Sequence, residues 1–101
     1  MKKILIVDDE IDIRNNIKAI LTDENYLANT AENSDEALEL INKNDFDLII
    51  LDVWLNDSKF DGIELLKILK TSNKDIPIVI ISGHGNIEMA VEAIKEGAQE
   101  F

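Results

Sequence analysis

Three short runs of apolar residues, each ending at an oxygen-bearing side chain, restrict this chain to few folds. Ile4-Leu5-Ile6-Val7 stops at Asp8-Asp9, Leu48-Ile49-Ile50-Leu51 at Asp52, and Ile78-Val79-Ile80-Ile81 at Ser82, followed by Gly83. The runs are continuous rather than alternating and rich in Ile and Val, which is the pattern of strands covered on both faces. They predict strands at Lys3–Val7, Leu48–Leu51 and Ile76–Ile81, with a further strand at Leu27–Thr30. Pro77 is awkward inside a central strand and acceptable near a strand's first residue.

Helical periodicity fills the intervals. Ile13, Ile17, Ile20 and Leu21 share one face, with Arg14, Asn15 and Lys18 outside it. Ala37, Leu38 and Ile41 form a second apolar face behind Ser34 as N-cap. Asp61 and Glu64 open a third helix carrying Ile63, Leu66 and Leu69. Asn86 caps a fourth, with Ile87, Ala90, Val91 and Ile94 inward and Gly97 as its stop. Four strand–helix units in succession imply an α/β fold, a doubly wound parallel sheet with right-handed crossovers and helices on both faces. In such a sheet the carboxyl ends of the strands share one edge, where ligands bind. Asp8, Asp9 and Asp52 would meet there. Acids gathered in one place repel one another and are costly to desolvate unless something positive joins them. A hard divalent cation such as Mg2+ suits carboxylate and water oxygens.

The bulk properties narrow the function. At 101 residues the chain holds one domain, and a hydrophobic content of 46% is enough to fold it. The net charge of -11, with no basic stripe, argues against a nucleic-acid binder. The absence of cysteine excludes disulfides, thiolate metal sites and thiol catalysis. The opening apolar stretch meets Asp8-Asp9-Glu10 too soon for a signal core of roughly 7–15 residues. No run approaches the roughly 18 apolar residues of a membrane span. A soluble cytoplasmic protein is the expectation.

Val7-Asp8-Asp9-Glu10, Leu51-Asp52, Asp61-Gly62 and Ile81-Ser82-Gly83, in this order and at these separations, resemble the marks of response-regulator receiver domains. The resemblance runs from Lys2 to the last residue and implies the flavodoxin-like fold of CheY. It implies that Asp52 is the phosphoacceptor, taking a phosphoryl group from a sensor histidine kinase docked on the first helix (Ile11–Glu24) and the site loops. It implies Mg2+ held by Asp9 directly, by Asp8 mainly through water, by Asp52 and by the main-chain carbonyl of Trp54. It implies a phosphoryl contact from the Ser82 hydroxyl. Taken singly, an Asp-Asp pair also caps helices, and Ser82 is also an ordinary turn residue. Glu10 reads as a first-turn helix acid complementing the dipole. Gly83-His84-Gly85 lacks the glycine spacing and lysine of a nucleotide phosphate loop.

Two departures from the common receiver pattern stand out. The stretch from Asp52 to Gly62 is slightly long and lacks proline, with Trp54 and His84 each two places past a site residue. This, with Ile81 to Glu88 and the residues that follow, resembles the NtrX branch of NtrC-type nitrogen regulators, whose output domains act on transcription. Trp54 is expected to shield the phosphoryl group from water and slow its loss. His84 is expected to orient water or donate to the phosphate, against an alternative in which it is solvated and Trp54 packs on its own loop. The second departure is the end, Ala98-Gln99-Glu100-Phe101, about where the fifth strand of a receiver begins. The expectation is a receiver over residues 1–101 lacking the last strand–helix unit and its charge-neutralising lysine, for which Lys95 lies too early. Ile78–Ile81 then becomes a sheet edge, predicting a homodimer or edge-strand pairing. The chain itself would bind no DNA and would be no enzyme beyond catalysing its own phosphorylation and dephosphorylation. Two rivals remain: a non-phosphorylated receiver-like binding or dimerisation module, and a small Mg2+ phosphohydrolase with Asp52 as nucleophile. The hydrolase is disfavoured by Trp54 where a second acid is wanted.

Overall fold

The structure is a computed structural model and describes residues 1–52, 62–72 and 75–81. The elements run β1 (Lys3–Val7), α1 (Ile11–Asp23), β2 (Leu27–Ala31), α2 (Ser34–Lys43), β3 (Leu48–Asp52), α3 (Gly62–Thr71) and β4 (Ile78–Ile81). All strand pairs are parallel, in the order β2-β1-β3-β4. This is the flavodoxin-like order expected of a doubly wound sheet, whose strand direction reverses its march beside β1. The expected fourth helix, Asn86 to Gly97, lies outside the described residues.

Successive side chains along β1 point to opposite faces. Leu5 and Val7 join Ile49, Leu51, Ile78 and Ile80 in one cluster, closed by Ala37 and Ile41 of α2, Phe46, and Ile63, Leu65, Leu66 and Leu69 of α3. Ile4 and Ile6 are buried on the other face, where right-handed crossovers place α1. Burial of β1 on both sides explains why its sequence is continuously apolar.

Several boundaries differ from the sequence reading. β2 runs one residue further, to Ala31, and β3 includes Asp52, whose Cα partner is Ile81. β4 begins at Ile78, not Ile76. Pro77 has no N–H for the ladder, but its carbonyl accepts from Ile49 N at 3.0 Å, so it borders the strand as an acceptor. Asn33, not Ser34, caps α2: its backbone is extended and its side chain accepts from Glu36 N at 2.8 Å. Ser34 is the first helical residue and fully buried. Glu10 stands at the N-cap position of α1, and Asp12 is the acid of the first turn. Along α1, Ile13, Ile17 and Leu21 are half-buried as the periodicity predicts, whereas Ile20 is 63% exposed. Periodicity fixes which residues share a face, not how completely that face is covered.

The exit from α1 is a Schellman turn. Asn25 has φ of 69°, while Tyr26 N donates to Leu21 O at 3.0 Å and Asn25 N to Thr22 O at 3.1 Å. A side chain with a Cβ disfavours this left-handed backbone, and Asn tolerates it better than most. Asn25→Ala is therefore expected to destabilise the fold by about 1 kcal/mol, lowering the melting temperature by roughly 4–8 °C in a domain of this size. Asn25→Gly should melt at or above the wild-type temperature; thermal unfolding of both variants checks this.

Candidate functional site

The site grows out of the β1–β3 pairing. Val7 and Leu51 are partners in the parallel register, so Asp8 and Asp52, one step further along each strand, emerge side by side at the carboxyl edge. Asp9 follows in the turn to α1. Asp8, Asp9 and Asp52 each offer a carboxylate oxygen, and these atoms all lie within 4.8 Å of one another. Asp8 is 1% exposed and Asp52 3%, while Asp9 is half-buried with its Oδ1 atom shut away from solvent. The sequence reading that brought these acids together at one edge is met in the geometry.

Asp8 is held at several points. Its N–H donates to Ala31 O at 3.1 Å, continuing the β1–β2 ladder past the strand end. Its Oδ1 accepts from Glu10 N at 2.9 Å, which turns the chain toward α1. Its carbonyl accepts from Arg14 Nη1 at 2.8 Å. Burial pushes the Asp8 carboxyl above its ordinary value. The Glu10 N–H opposes that shift, Asp9 and Glu10 add to it, and Arg14 opposes it. A buried carboxylate raised in this way is a group that gains from a cation.

The donor set is three hard oxygens from carboxylates, two of them largely withdrawn from water, with no nitrogen or sulfur ligand among them. That chemistry fits Mg2+ or Ca2+ and does not suit the softer transition metals. Arg14 is the participant the sequence reading missed. Six positions after Asp8 and off the apolar face of its helix, it reads from periodicity as a solvated residue, yet it is half-buried and reaches back to the turn. Ser82, Trp54 and His84, the other expected site residues, lie outside the described residues, as do Asp61 and Lys95.

At the opposite, amino-terminal end of the strands a shallow, mostly apolar groove is lined by Lys2, Ile4, Tyr26, Asp47 and Leu48. It is separated from the carboxylates by the length of the sheet. Among the described residues, no helix is long and apolar enough to cross a membrane.

Comparison with known proteins gives one consistent result. The profile of the response regulator receiver domain matches residues 4–101. Over 98 residues, 97% of this chain, the sequence is 54% identical to the nitrogen assimilation regulatory protein NtrX of Azorhizobium caulinodans, and it spans 22% of that protein's length. The crystal structure of the receiver domain of NtrX from Brucella abortus superposes with a TM-score of 0.91 at 49% identity, covering 97% of this chain and 82% of that one. A response regulator from Burkholderia pseudomallei, crystallised with a phosphorylated aspartic acid, a calcium ion and citrate, superposes with a TM-score of 0.89 at 30% identity, covering 99% of this chain and 58% of that one.

Proposed function

The chain belongs to the response regulator receiver family, on its NtrX-like branch, and on that premise we propose that it is a Mg2+-dependent phosphoacceptor whose acceptor is Asp52. The observation that carries this reading is the convergence of three carboxylates at one edge of the sheet, with Asp52 at the tip of β3. The Burkholderia relative, which holds both a phosphorylated aspartate and a divalent ion, supports it.

The chemistry follows from charge and placement. One Asp52 oxygen bonds to phosphorus as the P–N bond of a kinase phosphohistidine breaks, and the imidazole nitrogen leaves with the bonding pair. The product is an acyl phosphate on Asp52. An anionic nucleophile meeting an anionic phosphoryl group needs in-line placement and neutralised charge. Asp8, Asp9 and Asp52 would hold Mg2+, which when bound supplies that neutralisation as a Lewis acid. The rigid end of β3 fixes the direction from which Asp52 attacks. Asp8, gripped from three sides, keeps the acidic turn in register with it. Ser82 is the proposed hydroxyl contact to the phosphoryl group, Trp54 a further ligand through its carbonyl, and Trp54 and His84 the residues that set how long the phosphate survives. The partner is a sensor histidine kinase in the cytoplasm, and the output is transcriptional regulation by segments of the longer proteins this chain resembles. The chain catalyses its own modification and no other turnover.

The test is intact-mass measurement of the chain incubated with Mg2+ and acetyl phosphate. One phosphoryl adduct per chain is expected. Absence of any adduct would favour a non-phosphorylated binding module, and steady turnover of generic phosphate esters would favour a hydrolase. Among the described residues β4 is an edge strand, which supports pairing with a second copy. Light scattering should then show a dimer.

A further inference from the structure

Arg14 makes two attachments around the turn from β1 to α1. Its backbone N–H donates to Glu10 O at 3.1 Å, locking it into the first turn of the helix. Its Nη1 donates to Asp8 O at 2.8 Å. That carbonyl belongs to the peptide joining Asp8 to Asp9. A peptide unit is planar, so holding its oxygen sets the plane from which the Asp9 side chain departs. The Glu10 N–H on Asp8 Oδ1 closes the same turn from the other side. The acidic turn is thus cross-braced by one strand neighbour, one local amide and one guanidinium.

We infer that Arg14 is a positioning residue of the cation site, fixing the Asp8–Asp9 peptide so that both carboxylates converge on Asp52. This rests on the phosphoacceptor reading above and adds a residue to it. Arg14 makes no claim on the ion itself, since a guanidinium has donors and no acceptor.

Two effects of Arg14 on a bound cation have opposite signs, and this makes the inference testable. As a positive charge beside Asp8, Arg14 disfavours a second cation, so charge alone predicts tighter Mg2+ binding once it is removed. As a brace it favours the ion, so its loss predicts weaker binding. Arg14 bonds the main-chain carbonyl of Asp8 and not a carboxylate, so its charge acts on the site only through space, whereas removing a hydrogen bond that orients a metal ligand typically costs about 10–100-fold in affinity. The brace should win.

The measurement is calorimetric titration of Mg2+ into the 101-residue chain and its variants, beside thermal unfolding without Mg2+. Arg14→Met is expected to weaken Mg2+ binding by about tenfold. Arg14→Lys, which keeps a donor on a flexible stem, should recover at least half of that loss on a logarithmic scale. The metal-free melting temperatures of wild type and Arg14→Lys should agree closely, so a fall in Arg14→Met stability cannot stand in for the effect. Unchanged or tighter Mg2+ binding in Arg14→Met, or no recovery in Arg14→Lys, overturns the inference and leaves the phosphoacceptor reading standing. A wild-type chain that binds no Mg2+ overturns both.

Discussion

Asp52→Asn is expected to abolish the phosphoryl adduct completely while leaving the fold intact. Asp52 ends β3, pairs in register with Ile81, and is 3% exposed. An amide has almost the volume of the carboxylate, so the surrounding packing has little reason to change. Its oxygen is a far weaker nucleophile, because it is neutral and lacks the full negative charge that a carboxylate offers to phosphorus. The rate of acceptance should therefore fall below detection. The substitution also removes one of three neighbouring negative charges. Like charges held close in a poorly solvated place oppose folding, so Asp52→Asn should melt at a higher temperature than wild type in the absence of Mg2+. Asp35→Asn, in the first turn of α2, is the control and should keep the adduct. Intact mass and thermal unfolding on the same samples read both effects. A full adduct surviving in Asp52→Asn would place the acceptor elsewhere and remove the basis of the proposed function.

The sheet and its acidic edge were legible because two rules combine. Strands buried on both faces must be apolar throughout, so β1, β3 and β4 announce themselves as unbroken Ile, Leu and Val. A doubly wound topology then sends the ends of such strands to one edge, so Asp8 and Asp52 meet although 44 positions separate them in the chain. What the sequence hid were choices between near-equals. Asn33 and Ser34 are both good capping side chains, and only the backbone reveals which one precedes the helix. Ile76 and Pro77 look like strand, but Pro77 cannot donate to the ladder, and pairing starts one residue later. Arg14 was hidden for another reason. Its role depends on a long side chain folding back on a turn, and a linear pattern of polar and apolar residues has no record of that reach. The resemblance to receiver domains named candidate ligands for a cation and left out Arg14, whose guanidinium holds the carbonyl between Asp8 and Asp9.

Asp8 links the site to stability in a way that can be read against pH. Its folded pKa is raised, chiefly by burial, so without a cation the folded state holds a proton more tightly than the unfolded chain does. The sign follows from linkage: stability falls as pH rises through the window between the ordinary carboxylate value and the raised one, and the loss is complete above that window. Above that window, then, the ionised Asp8 carboxylate works against folding. Asp8→Asn keeps an oxygen that can accept from Glu10 N and carries no charge. It should be more stable than wild type above that window without Mg2+. The difference should close as pH falls through the raised Asp8 value and vanish below the ordinary one. Comparing the two proteins at each pH cancels the titration of carboxylates they share. Mg2+ should narrow that difference. At ten times its dissociation constant, an ion that binds only the folded state adds about 1.4 kcal/mol, which raises the melting temperature of a domain this size by roughly 6–11 °C. That gain should appear in wild type, shrink strongly in Asp8→Asn, and disappear in wild type as acid protonates the ligands. Melting curves at several pH values, with and without Mg2+, give each of these comparisons. If Asp8→Asn gained as much from Mg2+ as wild type does, Asp8 would have no part in holding the ion. Its burial would then be a cost of the turn alone, with Asp9 and Asp52 left as the cation's carboxylate ligands.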